Sequence, residues 1–331
     1  MVEVIGKGGI SAKIIADSIC PRGKRVITYE LNYPRFIHSE FMTHRLFSRN
    51  AASSRAIPVP KMIENIKANT AMPIHWGAHQ KGMQADTECD NLVDNDSAIF
   101  GYEEGSEYTK PNREQAWCIA RNDAIFHAEE FHLAGYHKQI INRLLEPFQF
   151  IKVVCTATEF DNFFWLRSHK DAQPEIRELS DCMYNALVES EPNHLKAGEW
   201  HLPYYNGNFG DGVWKPGGYA KAEGFLDHKR GYTLAEALKI SSSCCAQVSY
   251  RLTDNSLEKA EMIYKMLVEA EPVHASPFEH QCYPMDEETQ LDSEGVTGYN
   301  NSLGHYSGNF FGWVQHRQLI PENTCWNYEA I

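Results

Sequence analysis

Along Thr43-His44-Arg45-Leu46-Phe47-Ser48-Arg49-Asn50-Ala51-Ala52-Ser53-Ser54-Arg55, three arginines, a histidine and three serines crowd behind an apolar, aromatic run. Guanidinium forks grip a phosphate through paired N–H donors, and hydroxyls or backbone N–H groups at a helix end complete the cradle. In a chain of formal net charge -13, such a local cationic patch reads as a pocket for a small anion. A nucleotide suits it better than a nucleic acid, because 31 Lys+Arg stand against 44 Asp+Glu and no extended basic surface is visible. An amphipathic helix end with solvated arginines has the same composition.

The spacing resembles the signature of the flavin-dependent thymidylate synthases. Thr43-His44-Arg45, seven residues, Ser53, one residue and Arg55 is similar to their Arg-His-Arg, seven residues, Ser, x, Arg. The approach through Ile27-Thr28-Tyr29-Glu30-Leu31 and Pro34-x-Phe36 also looks like that family's strand followed by a helix. Arg143-Leu144-Leu145-Glu146-Pro147 is similar to its Arg-x-x-x-Pro, and Arg167 followed by Ala172-Gln173-Pro174-Glu175-Ile176-Arg177-Glu178-Leu179 to its Arg…Ala-Gln-x-Glu-Ile-Arg-Glu-Leu. Two further matches, Ala246-Gln247-Val248-Ser249-Tyr250 and Ser276-Pro277-Phe278-Glu279-His280, precede the signature in ordinary members but follow it here by roughly two hundred residues. That order is the order of a circular permutation, which surface termini lying close together would permit.

The resemblance implies an α+β fold of helices around an antiparallel sheet, a single catalytic domain over 1–331 with insertions, and a homotetramer with shared sites. It divides the chain into a nucleotide and flavin signature over 24–60, a nucleotide-binding helical segment over 137–190 and a permuted flavin-facing segment over 233–331. It implies FAD as cofactor, with NADPH and methylenetetrahydrofolate as co-substrates, converting dUMP to dTMP. Carried over by motif, Arg167 is the catalytic cation beside the pyrimidine. Ser53, Ser54, Arg55 and Arg143 hold the nucleotide, with Glu40 and Thr43 beside it. Thr43, His44, Arg45 and Asn50, together with Asn162, Ser249 and His280, face the flavin.

Three positions depart from the pattern: Thr43 replaces the first Arg of the triplet, Ala51 a Glu and Glu40 a Gln. A carboxylate accepts from a cytosine amino group and is less welcome beside a uracil carbonyl, so methylation or hydroxymethylation of dUMP or dCMP is the alternative activity. A nucleotide-binding protein that has lost its flavin is the alternative outside enzymes. Each assignment has a structural rival: His280 as a core histidine, Ser249 as a packing residue, and Arg143 and Arg167 as ion-pair partners of Glu146, Glu159 or Asp161. His316-Arg317 reads as a turn or a folate-side contact, and Gly6-Lys7-Gly8-Gly9 and Gly207-Asn208-Phe209-Gly210 read as turns.

At 331 residues and 43% hydrophobic, the chain can bury a full core. No long apolar run predicts a membrane span and the start lacks a signal-peptide pattern, so the expectation is a cytoplasmic protein. Nine scattered cysteines suit a reducing compartment, and none follows a proline, which argues against the cysteine-thiolate route of conventional thymidylate synthases. His127, His132 and His137 recur at an interval that drifts around a helix, so no metal site is expected.

The elements that must position these residues follow from periodicity. Segment 24–31 predicts a strand and 35–47 a helix, leaving the anion patch at the helix's far end. Segment 84–112 predicts an acidic surface loop or lid, and 113–146 a helix interrupted near Gly135. A strand over 148–156 leads into a helix over 159–167. The helix after Asp171 puts Ile176, Leu179 and Met183 on one face and leaves Arg177 solvated. Segment 197–231 reads as an insertion or binding loop, Thr233 to Arg251 and Ser256 to Glu271 as helices, and Gly308 to Asn323 as a compact terminal element. No internal repeat is visible.

Overall fold

Apolar Ile27, Tyr29, Leu31 and Tyr33 alternate with polar Thr28, Glu30 and Asn32, the period of a strand with two unlike faces. The computed structural model describes residues 2–94, 110–196, 199–205, 232–249, 253–285 and 309–324, and it makes this segment the middle of a mixed α+β architecture. Strands β1 (Glu3–Ile5), β2 (Ser11–Ile19) and β3 (Arg25–Pro34) pair antiparallel. Beyond β3 lies β5 (Phe150–Ala157), with β4 (Ser48–Ala51) as the last strand, giving the order β1-β2-β3-β5-β4, all antiparallel. A short β6 (Asn193–His194) adds to β2 in parallel.

One face of the sheet is apolar. Tyr29, Leu31, Val153 and Cys155 are fully buried there against Phe41, Phe47, Phe160 and Phe163 and against a helix over 174–189. The other face carries Ser18, Thr28, Thr156 and Ser48, and it is buried as well. Residues 199–205, a helix over 234–246 and a two-stranded sheet of β7 (Cys282–Pro284) and β8 (Trp313–Gln315) cover it. A strand covered on both sides thus shows little burial contrast between its alternate residues.

Eight helices occur among the described residues: α1 (His38–Phe41), α2 (Val59–Ala68), α3 (Arg113–Leu133), α4 (Lys138–Leu144), α5 (Asp161–Arg167), α6 (Pro174–Glu189), α7 (Leu234–Ala246) and α8 (Leu257–Val268). A capping box of Asn112 and Gln115 starts α3, and Gly135, at φ +87°, breaks it from α4 as the pattern predicts. Pro174 opens α6 behind the Gln173 cap, and Ile176, Leu179 and Met183 are fully buried along its inner face while Arg177 is exposed. Thr233 and Glu236 cap α7, and Ser256 caps α8. Lys7–Gly9 is a 3-10 turn. No helix among the described residues is long and apolar enough to cross a membrane.

The helix expected over 35–47 is corrected. A 3-10 turn over Arg35–Ile37 leads into the single turn of α1, and residues 48–51 form a strand. Thr43 Oγ1 donates to the carbonyl of Glu40 at 2.7 Å and Arg49 Nη1 to that of Phe41 at 3.1 Å. Side chains therefore take the carbonyls that a continuing helix needs. The segment expected to hold an anion consequently lies on a turn and an outer strand. Residues 95–109 of the expected acidic loop, most of 197–231 with Gly207-Asn208-Phe209-Gly210, Tyr250 and Gly308 lie outside the described residues.

Candidate functional site

Helix α5 ends on Arg167 after burying Phe163 and Phe164, so its last side chain emerges at the rim of the apolar core. Arg167 Nε donates to His44 Nε2 at 3.0 Å and Nη2 to Thr43 Oγ1 at 3.3 Å, while Nη1 lies 3.5 Å from Glu40 Oε2. Residues more than 120 positions apart in sequence thus meet around one guanidinium. Arginine has donors only, so Nε2 of His44 is an acceptor and its proton resides on Nδ1. Burial, then the charges of Arg167 and Arg49, push the His44 pKa down to about 4, which keeps the ring neutral. Its ring stands edge-on to Phe163 at 4.8 Å and stacks on Phe47 at 5.7 Å. Aromatic packing therefore fixes the histidine, and the histidine fixes the arginine.

The surroundings of this corner are cationic. Burial and the charges of Arg35 and Arg49 also push His38 down to about 4, with Tyr33 Oη 2.9 Å from its Nδ1. Nε of Arg49 is buried without a partner. Glu146 lies 2.8 Å from Arg143 Nη1 and 3.2 Å from Arg35 Nε. Asn142 donates to the carbonyl of buried Ser54 at 2.7 Å, tying the turn that carries Ser53 and Arg55 to α4 and its Arg143. Arg45 and Arg55 are exposed and form no ion pair among the described residues. Beside Glu40 and Arg167 opens a cleft of about 1030 Å³, walled by Phe36, Trp117 and the start of α6.

A second group gathers across β4. Ser249 Oγ accepts from the backbone N–H of Ser53 at 2.9 Å, joining motifs 196 residues apart. Asn50 Nδ2 lies 3.4 Å from the carbonyl of Cys245. His280 is fully buried, with Nδ1 2.8 Å from Thr156 Oγ1 and no partner at Nε2. Asn162 lines a separate hollow with Lys24, Glu159 and Phe311. The residues assigned to the flavin thus fall in separate places: Thr43 and His44 at the Arg167 corner, Asn50, Ser249 and His280 in the second group, and Asn162 in its own hollow. Among the described residues, no hydrogen bond or ion pair joins His280 or Asn162 to the Arg167 corner.

The ion-pair reading fits Arg143, which pairs with Glu146. Arg167 takes Glu40 instead of Glu159 or Asp161, and Glu159 pairs with Lys24 at 2.5 Å. His316–Leu319 is a 3-10 turn, with Arg317 bonded to Glu279. Burial pushes the thiols of Cys155, Cys245 and Cys282 upward, so none of these three is disposed to act as a thiolate nucleophile.

Ser18, Thr28, Thr156 and His201 escaped the sequence reading. The two threonines occupy polar positions of alternating strands, which a sequence assigns to solvent, and His201 belongs to no motif. The one available signal was a His in Glu199-Trp200-His201, just ahead of the Gly-rich segment. Compared with protein-family models and with curated proteins, the chain matches none of them.

Proposed function

We propose that the protein is a flavin-dependent thymidylate synthase, an enzyme that reductively methylates dUMP to dTMP with methylenetetrahydrofolate and NADPH. The observation that carries this reading is the convergence of Glu40, Thr43 and His44 on Arg167, from two separate motifs, inside a chain of strong net negative charge. As C5 of the pyrimidine becomes nucleophilic, negative charge develops on the ring, and a preoriented guanidinium meets it without reorganisation. Neutral His44 orients that guanidinium and leaves its charge undiminished. Arg143, Arg55, Ser53 and Ser54 hold the phosphate, and the exposed Arg55 is free to swing toward it.

The fit to FAD rests on the unpartnered, buried Nε2 of His280, an atom of the kind a ligand satisfies. His44, Arg45, Asn50, Asn162, Ser249 and His280 would hold the cofactor around the edge formed by β4. When bound, reduced FAD supplies the hydride and relays the carbon unit. A homotetramer with sites shared between subunits suits the separation of these residues in one chain and the exposed apolar side chains of Trp165, Leu166, Tyr184 and Val188.

Glu40, beside Arg167, favours a second reading, a modified-base activity on dCMP or dUMP. One experiment separates the possibilities: the absorbance spectrum of the purified protein, then anaerobic NADPH with and without each nucleotide, with product analysis. A flavin band bleached faster by dUMP, with dTMP formed, is the expected result. A dCMP product selects the second reading, and a colourless protein that binds no FAD leaves a nucleotide-binding protein without flavin chemistry.

A further inference from the structure

Five buried side chains form an unbroken line across β2, β3 and β5. Ser18 Oγ lies 2.9 Å from His201 Nδ1, and His201 Nε2 lies 2.8 Å from Thr28 Oγ1. Thr28 Oγ1 lies 2.7 Å from Thr156 Oγ1, which lies 2.8 Å from His280 Nδ1. The line ends at His280 Nε2, which has no partner. Backbone bonds between His201 and Cys282, at 2.8 and 3.3 Å, hold the first ring against the strand two residues beyond the second.

Proton counting constrains this line. Three hydroxyls and two neutral rings hold five protons for four contacts, so one proton must point elsewhere. Neither threonine hydroxyl has another partner among the described residues, and a buried donor left without one bears the full cost of its desolvation. Both nitrogens of His201 are engaged. The odd proton therefore belongs at an end. In one arrangement Ser18 donates inward, each link follows, and both rings carry hydrogen on Nε2. In the other every link reverses, and both rings carry it on Nδ1.

We propose that these five residues form one proton relay, in which His201 is a positioning residue that shares a single tautomeric equilibrium with His280. When a proton reaches the lone pair of His280 Nε2, the ring passes its Nδ1 hydrogen to Thr156 Oγ1. Thr156 passes its own to Thr28, Thr28 to His201 Nε2, and His201 its Nδ1 hydrogen to Ser18, whose original proton leaves to water. One proton enters, one leaves, and neither ring becomes charged. Burial pushes the pKa of His280 to about 3 and that of His201 to about 4, in keeping with two neutral rings. A ligand acceptor at Nε2 selects the first arrangement and a ligand donor the second. Only the identity of that ligand as a flavin rests on the proposed function.

The test is ring nitrogen NMR on the full-length protein labelled with ¹⁵N-histidine, with His201→Gln and His280→Gln assigning the two rings. Long-range proton–nitrogen correlations report which nitrogen carries hydrogen. The expected result is the same tautomer fraction in both rings at every temperature. Thr28→Val, close in shape to the native residue, is expected to shift His201 to the Nδ1–H form and make the two fractions independent. Opposite tautomers in the native protein, different temperature dependences, or a folded Thr28→Val protein with both rings unchanged would each overturn the relay. If that variant fails to fold, the native comparison still decides. Added FAD that moves both rings together supports both proposals, whereas coupled rings indifferent to FAD keep the relay and count against the flavin reading.

Discussion

Arg167 makes a bonding pattern that few side chains could replace. Its fork meets an imidazole nitrogen, a hydroxyl and a carboxylate at once, whereas a lysine ammonium is a point donor on a flexible stem. Arg167→Lys is therefore expected to lower the single-turnover rate of nucleotide methylation on the order of 10²-fold, with the melting temperature nearly unchanged. A rate within about twofold of native would remove Arg167 from the charge-stabilising role. The neighbouring Thr43 bonds in two directions at once. Its hydroxyl accepts from Arg167 and donates to the Glu40 carbonyl, so it both shapes the turn and orients the Arg167 guanidinium.

At the scale of elements, α6 and the connection after α7 carry different loads. Leu179 is fully buried between α6 and the sheet, and Leu179→Ala should reduce stability by about 2–5 kcal/mol in urea titration. Ser249, in the turn after α7, contributes little core area but holds the Ser53 N–H in the turn that carries Ser53 and Arg55. Ser249→Ala is expected to raise KM for the nucleotide several-fold while kcat changes little. A fall in kcat at constant KM would instead locate Ser249 at the reacting atoms. The shortness of α1 belongs to this scale too: apolar spacing over 35–47 favours a helix, but Thr43 and Arg49 intercept its carbonyls.

Across the whole molecule, burying polar groups on the second face of the sheet has a consequence for pH. Burial pushes His201 and His316 to about 4 and His280 to about 3, each below the ordinary value of 6.5. The unfolded chain then binds more protons than the native one between pH about 6.5 and 4, so stability falls as the pH is lowered through that window and is flat above it. Thermal melts should show stability declining across it, and a flat profile from pH 7 to 4 would mean that these rings are not buried as neutral groups. Light scattering is expected to find a tetramer, and Trp165→Glu with Val188→Glu should yield a smaller species. An unchanged mass would exclude the α5 and α6 surface as the contact.

The strand at β3, the broken helix at Gly135 and the buried stripe of α6 follow from periodicities of two and of three to four residues, and those are local properties of the chain, whereas the α+β class was what the motif resemblance implied. The types and spacings around Arg45, Ser53 and Arg55 are likewise local, and they carry the proposal of an anion site without reference to anything distant. Periodicity says which residues share a face but not what covers that face. Only the tertiary structure decided that Thr28 and Thr156 lie beneath His201 and His280, and that Ser53 meets Ser249 across 196 positions. Those contacts join segments far apart in the chain, where burial and unpaired hydrogen-bonding groups act through space and leave no local pattern to read.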